Sequence, residues 1–144
     1  MGLTLHHVAL SVASLERSIA FYRDLLGFEL LRIIECPAEG KLGEVTTLAD
    51  ACARLAHMAL GDAVVELLEY THPQGKTIPS EGTMADIGFS HICLASDDIE
   101  ADYLRLKGRG VRFYTEPVEY RPGVHMAYFY GPDAETCELR QAAS

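Results

Sequence analysis

The feature that most constrains this chain is that it is written twice. The run "LHHVALSVASLERSIAFYRDLLGFEL" in the first half is answered by "FSHICLASDDIEADYLRLKGRGVRFY" in the second. With His7 set on His91, Leu15 falls on Ile99, eight residues later in both copies. "GFEL" at 27–30 then matches "GVRF" at 110–113 after a slip of one residue. The copies also end alike, in "GDAVVELLEY" and "GPDAETCELR", which sets Glu66 opposite Glu138. A repeat of this length is a supersecondary unit used twice. The 144 residues amount to about one domain, enough to bury a core.

Each copy reads as a strand, a helix and then several strands. Residues 5–12 alternate loosely and predict a strand. Ser14 is a candidate N-cap, Leu15, Ile19, Tyr22 and Leu26 follow at helical spacing, and Gly27 stops the helix. In the second copy "DDIE" offers Asp97 as N-cap with Glu100 three residues on, the arrangement of a capping box. Ile99, Tyr103 and Leu106 form that helix's apolar stripe, and Gly110 lies beyond it. Residues 53–60 and 63–70 predict a hairpin across Gly61-Asp62, and 124–130 with 136–141 predict another across "GPDAE". The stretch 71–88 is rich in Gly, Pro, Ser and Thr and reads as a linker, with His72 and Lys76 as loop residues. The expected fold is α+β: one domain over 1–144, built of two βαβββ modules, 5–70 and 89–141.

Strand parity then raises a chemical question. In "VVELLEY", Val64, Glu66, Leu68 and Tyr70 share one face and Val65, Leu67 and Glu69 the other. Glu69 can escape near the strand's end, but Glu66 has apolar neighbours on both sides. Burying an unpaired carboxylate costs several kcal/mol, so Glu66 needs a charged or hydrogen-bonding partner. Parity also groups His7 with Ala9 and Ser11, and His91 with Cys93 and Ala95, leaving room beside each histidine. Val8, Leu10 and Val12, with Ile92 and Leu94, form the opposite, aliphatic faces that pack under helices.

Composition narrows the partners. A net charge of −9 argues against nucleic acid and against an anionic membrane surface. No apolar run approaches the ~20 residues that cross a bilayer. The first residues lack a basic segment and a cleavage motif, so the expected location is cytoplasmic. Cys36, Cys52, Cys93 and Cys137 show no paired spacing, and Cys93 and Cys137 read as reduced and buried.

The motifs "HHVALSV…SIAFYRDLLGF", "VVELLEY", "FSHICLAS" and "YFYGPDAETCEL" resemble the vicinal oxygen chelate superfamily, which holds glyoxalases, bleomycin-resistance proteins and extradiol dioxygenases. The resemblance implies paired modules forming a half-open, barrel-like cavity around one divalent metal. Its ligands would be His7, Glu66, His91 and Glu138, with His6 a solvated neighbour of His7. Two imidazoles and two carboxylates suit Ni, Co, Zn, Mn or Fe. The resemblance further implies a homodimer, a small-molecule substrate, and lyase or isomerase chemistry of the glyoxalase I type through a metal-stabilised enediolate. Glu138 or Glu66 would be the general base.

Glyoxalase I carries an arginine four residues after its first ligand and an asparagine four after its second, both holding glutathione. This chain has Ser11 and Tyr70 at those positions. The run "ELLEYTHPQGK" also resembles methylmalonyl-CoA epimerase, whose further catalytic glutamate corresponds to His57 here, a possible base at neutral pH. A dioxygenase reading would use His7, His91 and Glu138 on Fe(II), with Tyr128 nearby and His125 at the pocket mouth or a strand end. A binding protein without catalysis would use Tyr70, Tyr128, Phe129 and Tyr130 as an aromatic wall. Arg121 and Lys76 are the cations best placed for an anionic substrate.

Overall fold

The two copies of the sequence become two copies of one sheet. A computed structural model describes residues 2–143, and the chain separates into two compact units, 1–77 and 78–144. The first unit contains β1 (Val8–Ser11), α1 (Leu15–Ala20), β2 (Glu29–Cys36), α2 (Leu42–Thr46), β3 (Cys52–Leu60) and β4 (Ala63–His72). The second contains β5 (His91–Ala95), α3 (Ile99–Gly108), β6 (Val118–Arg121), β7 (Val124–Tyr130) and β8 (Thr136–Ala142). Strand order is β1-β4-β3-β2 in one sheet and β5-β8-β7-β6 in the other. In both, the first strand pairs in parallel with the last and the remaining pairs are antiparallel. These are the expected βαβββ modules, each an open sheet of mixed direction.

Local chemistry explains the helices. Ser14 caps α1 by accepting the Arg17 N–H at 3.3 Å, as its position predicts. One π-helical turn over Phe21–Leu25 follows, and Gly27 at φ +82° ends the segment in a conformation other residues avoid. The cap of α3 is Asp98, not Asp97: its carboxylate accepts the Ala101 N–H at 3.0 Å. The neighbouring Ile99 N–H is taken at 2.7 Å by Gln141 on β8. In the first unit Glu69 on β4 does the same for the Leu15 N–H at 2.5 Å. Each last strand therefore holds the start of its unit's first helix.

The inner faces bury what periodicity predicts. Leu15, Ile19 and Tyr22 lie against β3 and β4, where Ala56, Met58, Val65 and Leu67 are buried. Ile99, Tyr103 and Leu106 lie against β7 and β8, where Ala127, Phe129, Cys137 and Leu139 are buried. Each large side chain buried this way contributes about 1.5–3 kcal/mol.

Four expectations need correction. Phe129 is fully buried, packed on Phe113 at 5.2 Å, so it belongs to the core rather than to a substrate wall. Period-two alternation puts it on the face opposite Tyr128 and Tyr130. Cys93 is exposed while Cys137 is buried, because they stand on opposite faces of their sheet. The strand expected over 5–12 is reduced to Val8–Ser11, paired in parallel with β4, with the Val12 N–H still donating to the Leu68 carbonyl. His72 ends β4 and is not a loop residue. Among the described residues no helix is long and apolar enough to cross a membrane.

Candidate functional site

The faces of the sheets turned away from the helices carry the expected site residues, in two matched sets. Glu66 sits mid-strand in β4, between Ala9 of β1 and His57 of β3. Glu138 sits at the same place in β8, between Cys93 of β5 and Tyr128 of β7. Both carboxylates are largely withdrawn from water, their side chains 12% and 6% exposed. His7 Nε2 lies 3.7 Å from Glu66 Oε2, and His91 Nε2 lies 2.8 Å from Glu138 Oε2.

A second regularity concerns the other ring nitrogen. His7 Nδ1 is 2.8 Å from His6 Nδ1, and His91 Nδ1 is 2.9 Å from Ser90 Oγ. The residue immediately before each histidine thus engages Nδ1 and leaves Nε2 facing the carboxylate. Such outer partners orient metal-binding imidazoles. The sequence carried this signal as a polar residue directly before each histidine, but its meaning appears only with the distances. His6, expected to be merely a solvated neighbour, is exposed and also bonded to His7.

Glu66 finds its partner within its own unit. His57 Nε2 lies 2.6 Å from Glu66 Oε2, and His57 Nδ1 lies 2.6 Å from Arg32 Nη1. Arg32 reaches this face through a bulge. Leu30 pairs with Met58 and Arg32 with His57, so Leu31 is an extra residue in β2. A one-residue slip flips every side chain after it to the other face. Sequence reasoning missed Arg32 because nothing in "GFELLRIIE" marks the bulge.

In the second unit the edge of Tyr128 packs on His91, with ring centroids 5.2 Å apart. Burial, then the Glu138 carboxylate, push the Tyr128 hydroxyl above its usual pKa. The Cys93 thiol rises to about 11 for the same two reasons in the same order, and it hydrogen-bonds Glu138. Of the remaining expected site residues, Tyr70 is half-buried on the Glu66 face of β4 and Ser11 is exposed at the end of β1. Arg121 is exposed at the end of β6, and His125 pairs with Glu119 at 3.6 Å.

A search of known families matches residues 4–139 to the Glyoxalase/Bleomycin resistance protein/Dioxygenase superfamily. The chain belongs to that superfamily. A probable lactoylglutathione lyase of Vibrio parahaemolyticus is 34% identical over 140 residues, spanning 94% of this chain and 88% of the relative. Human mitochondrial methylmalonyl-CoA epimerase is 30% identical over 118 residues, 80% of this chain. The chain spans 58% of that epimerase's length. A glyoxalase family protein of Bacillus cereus shares the fold with a TM-score of 0.89 at 23% identity, covering 100% of this chain and 97% of its own.

In this glyoxalase-superfamily chain, donor types that suit a divalent metal recur in each unit. Among the described residues of either unit, no three His, Cys, Asp or Glu side chains are gathered for an ion. Each unit instead offers one imidazole Nε2 and one shielded carboxylate, matched by the repeat.

Proposed function

We propose that this protein is a metal-dependent lyase or isomerase of the glyoxalase type, moving a proton between neighbouring carbons of a small oxygenated substrate. The observation that supports this reading is the duplicated imidazole–carboxylate pair, His7 with Glu66 and His91 with Glu138, each with its histidine Nδ1 already engaged. Those four side chains would hold one divalent ion, with Ni, Co, Zn, Mn and Fe(II) all suited to two nitrogens and two oxygens. The chemistry such an ion supplies when bound is Lewis acidity toward a carbonyl oxygen.

The rest falls to the chain's own groups. Glu138 takes the proton from the carbon beside the carbonyl and returns it to the neighbouring carbon, or to the opposite face of the same carbon in an epimerase. Glu66, tied to His57, stays in place as the fixed ligand. Ser11 and Tyr70, at the ends of β1 and β4, line the approach and stand where a glutathione-dependent enzyme has arginine and asparagine. A substrate without the glutathione moiety agrees better with that pair.

Elemental analysis beside Glu66→Ala tests the reading. About one equivalent of divalent metal per chain, lost in the variant, is the expected result. Metal-loaded protein should then catalyse deuterium exchange from D2O into either a thiohemiacetal or an acyl-CoA thioester, and the one that exchanges names the substrate class. No metal after reconstitution with Ni, Co and Zn would remove the catalytic reading and leave a binding protein. Mixing inactive His7→Ala and His91→Ala chains tests the proposed homodimer. Activity returns if a site takes its halves from two chains.

A further inference from the structure

We infer that Arg32 and His57 form a positioning pair that locks the Glu66 carboxylate, and that His57 is not a general base. The inference rests on the reading of Glu66 as a ligand. It begins with a constraint of hydrogen-bond chemistry. A guanidinium has donors only, so at 2.6 Å from Arg32 Nη1 the Nδ1 atom of His57 must accept. A neutral imidazole with Nδ1 accepting carries its proton on Nε2. That proton points at Glu66 Oε2, also 2.6 Å away. Guanidinium, imidazole and carboxylate thus form one directed chain, and both His57 nitrogens are in use.

Three further observations agree. His57 is 8% exposed, so its ring is held by packing as well as by its bonds. The three residues lie on three adjacent strands, in register with one another across β2, β3 and β4. The bulge at Leu31 brings Arg32 to this face, where a regular strand would have put Leu31 opposite His57. Bulges recur where a strand must re-aim a side chain beside a site. The fixed proton on Nε2 engages Oε2, the same oxygen that faces His7 Nε2 at 3.7 Å. Outer partners of this kind typically change metal affinity 10–100-fold when removed.

Among the described residues, the second unit has no such chain at its equivalent positions. Tyr128 stands where His57 does, and the residue across from it on the far side is Tyr114, whose N–H donates to the Tyr128 carbonyl at 2.9 Å. Locking is therefore a property of one half-site only, and it is set by the side chains, not by the shared fold.

The test reads the imidazole directly. In metal-free protein carrying 15N-histidine, long-range 1H–15N correlation spectra should show His57 with Nδ1 bare and Nε2 protonated. Arg32→Met should weaken that preference, since only the Glu66 carboxylate then favours it, and Arg32→Lys, which keeps a donor, should restore it. Cobalt titration followed by visible absorption should show affinity about tenfold weaker in Arg32→Met and recovered in Arg32→Lys. Arg32 is exposed, so neither change removes a core side chain. Wild-type His57 protonated at Nδ1 would overturn the inference whatever the metal does. So would a correct wild-type tautomer combined with unchanged cobalt affinity in Arg32→Met. If the wild type takes up no cobalt, the metal reading falls alone, and the tautomer's response to Arg32→Met decides the pair.

Discussion

The two units give the same strand positions different neighbours. Beside Glu66 stand Ala9 and His57, and beside Glu138 stand Cys93 and Tyr128. Both carboxylates have a histidine Nε2 within 4 Å, supplied by the strand or loop that opens the unit. The first is gripped by an imidazole that a guanidinium holds in turn. The second accepts from a thiol, a weak donor, and lies against a phenol ring. Duplication therefore equalises the imidazole–carboxylate pairs while the flanking residues differentiate them. Under the proposed function the first carboxylate is the fixed ligand and the second the one that moves a proton.

The largest expected effect tests that division. In metal-loaded protein, Glu138→Gln should lower the rate of substrate deuterium exchange by about 10³-fold, the usual worth of a positioned general base. Glu66→Gln should cost roughly tenfold at saturating metal, acting through a looser site. Proton NMR of the substrate in D2O reads both. Equal losses would mean that the differing neighbours have no catalytic consequence, and a reversed ranking would make Glu66 the base.

Much of this arrangement was legible in the sequence, for a physical reason. The repeat, the strand parity of "VVELLEY" and the Gly61 turn are set by neighbours along the chain, and all reappear as strands β1, β3 and β4 with their partners. What failed depends on contacts across strands. Asp97 and Asp98 are equally good caps by composition, and the helix start they flank is also held by Gln141, 42 residues away from Ile99. "YFY" reads as a continuous aromatic surface until alternation splits Phe129 from Tyr128 and Tyr130. Arg32 is the clearest case, since a single unpaired residue in β2 determines which face it takes.

A smaller effect sharpens the contrast between Ala9 and Cys93. The Cys93 thiol, exposed at the surface yet partly desolvated by its neighbours and facing the Glu138 carboxylate, is raised to about 11 and stays protonated through neutral and mildly alkaline pH. In metal-free protein at pH 8 it should react with iodoacetamide roughly a hundredfold more slowly than an ordinary cysteine, since only the thiolate attacks. Peptide mapping by mass spectrometry separates it from Cys36 and Cys52. Glu138→Gln should speed the reaction severalfold without normalising it, because the partial desolvation of the thiol remains. A rate indifferent to Glu138 would show that the thiol does not sense the carboxylate, and the two half-sites would then differ by less than their neighbours imply.

The smallest effect concerns the same duplication one step further from the site. Three residues beyond each site glutamate, β4 and β8 send a side chain to the first N–H of their unit's helix: Glu69 to Leu15 and Gln141 to Ile99. The geometry is shared, but one acceptor is charged and the other neutral. Helix N-termini favour negative charge, and hydrogen bonds to charged groups contribute about 1.5–3 kcal/mol against about 1 kcal/mol for neutral ones. Glu69 also lies in the field of Arg54, which bridges to Glu16 and Glu35. Glu69→Ala should therefore destabilise the protein by about 2 kcal/mol and Gln141→Ala by about 1 kcal/mol in urea unfolding. Glu69→Gln, which makes the first unit chemically like the second, should bring the two costs together. If Glu69→Gln is instead neutral, the charge at this cap contributes nothing, and the asymmetry between the units is confined to the carboxylates of the site.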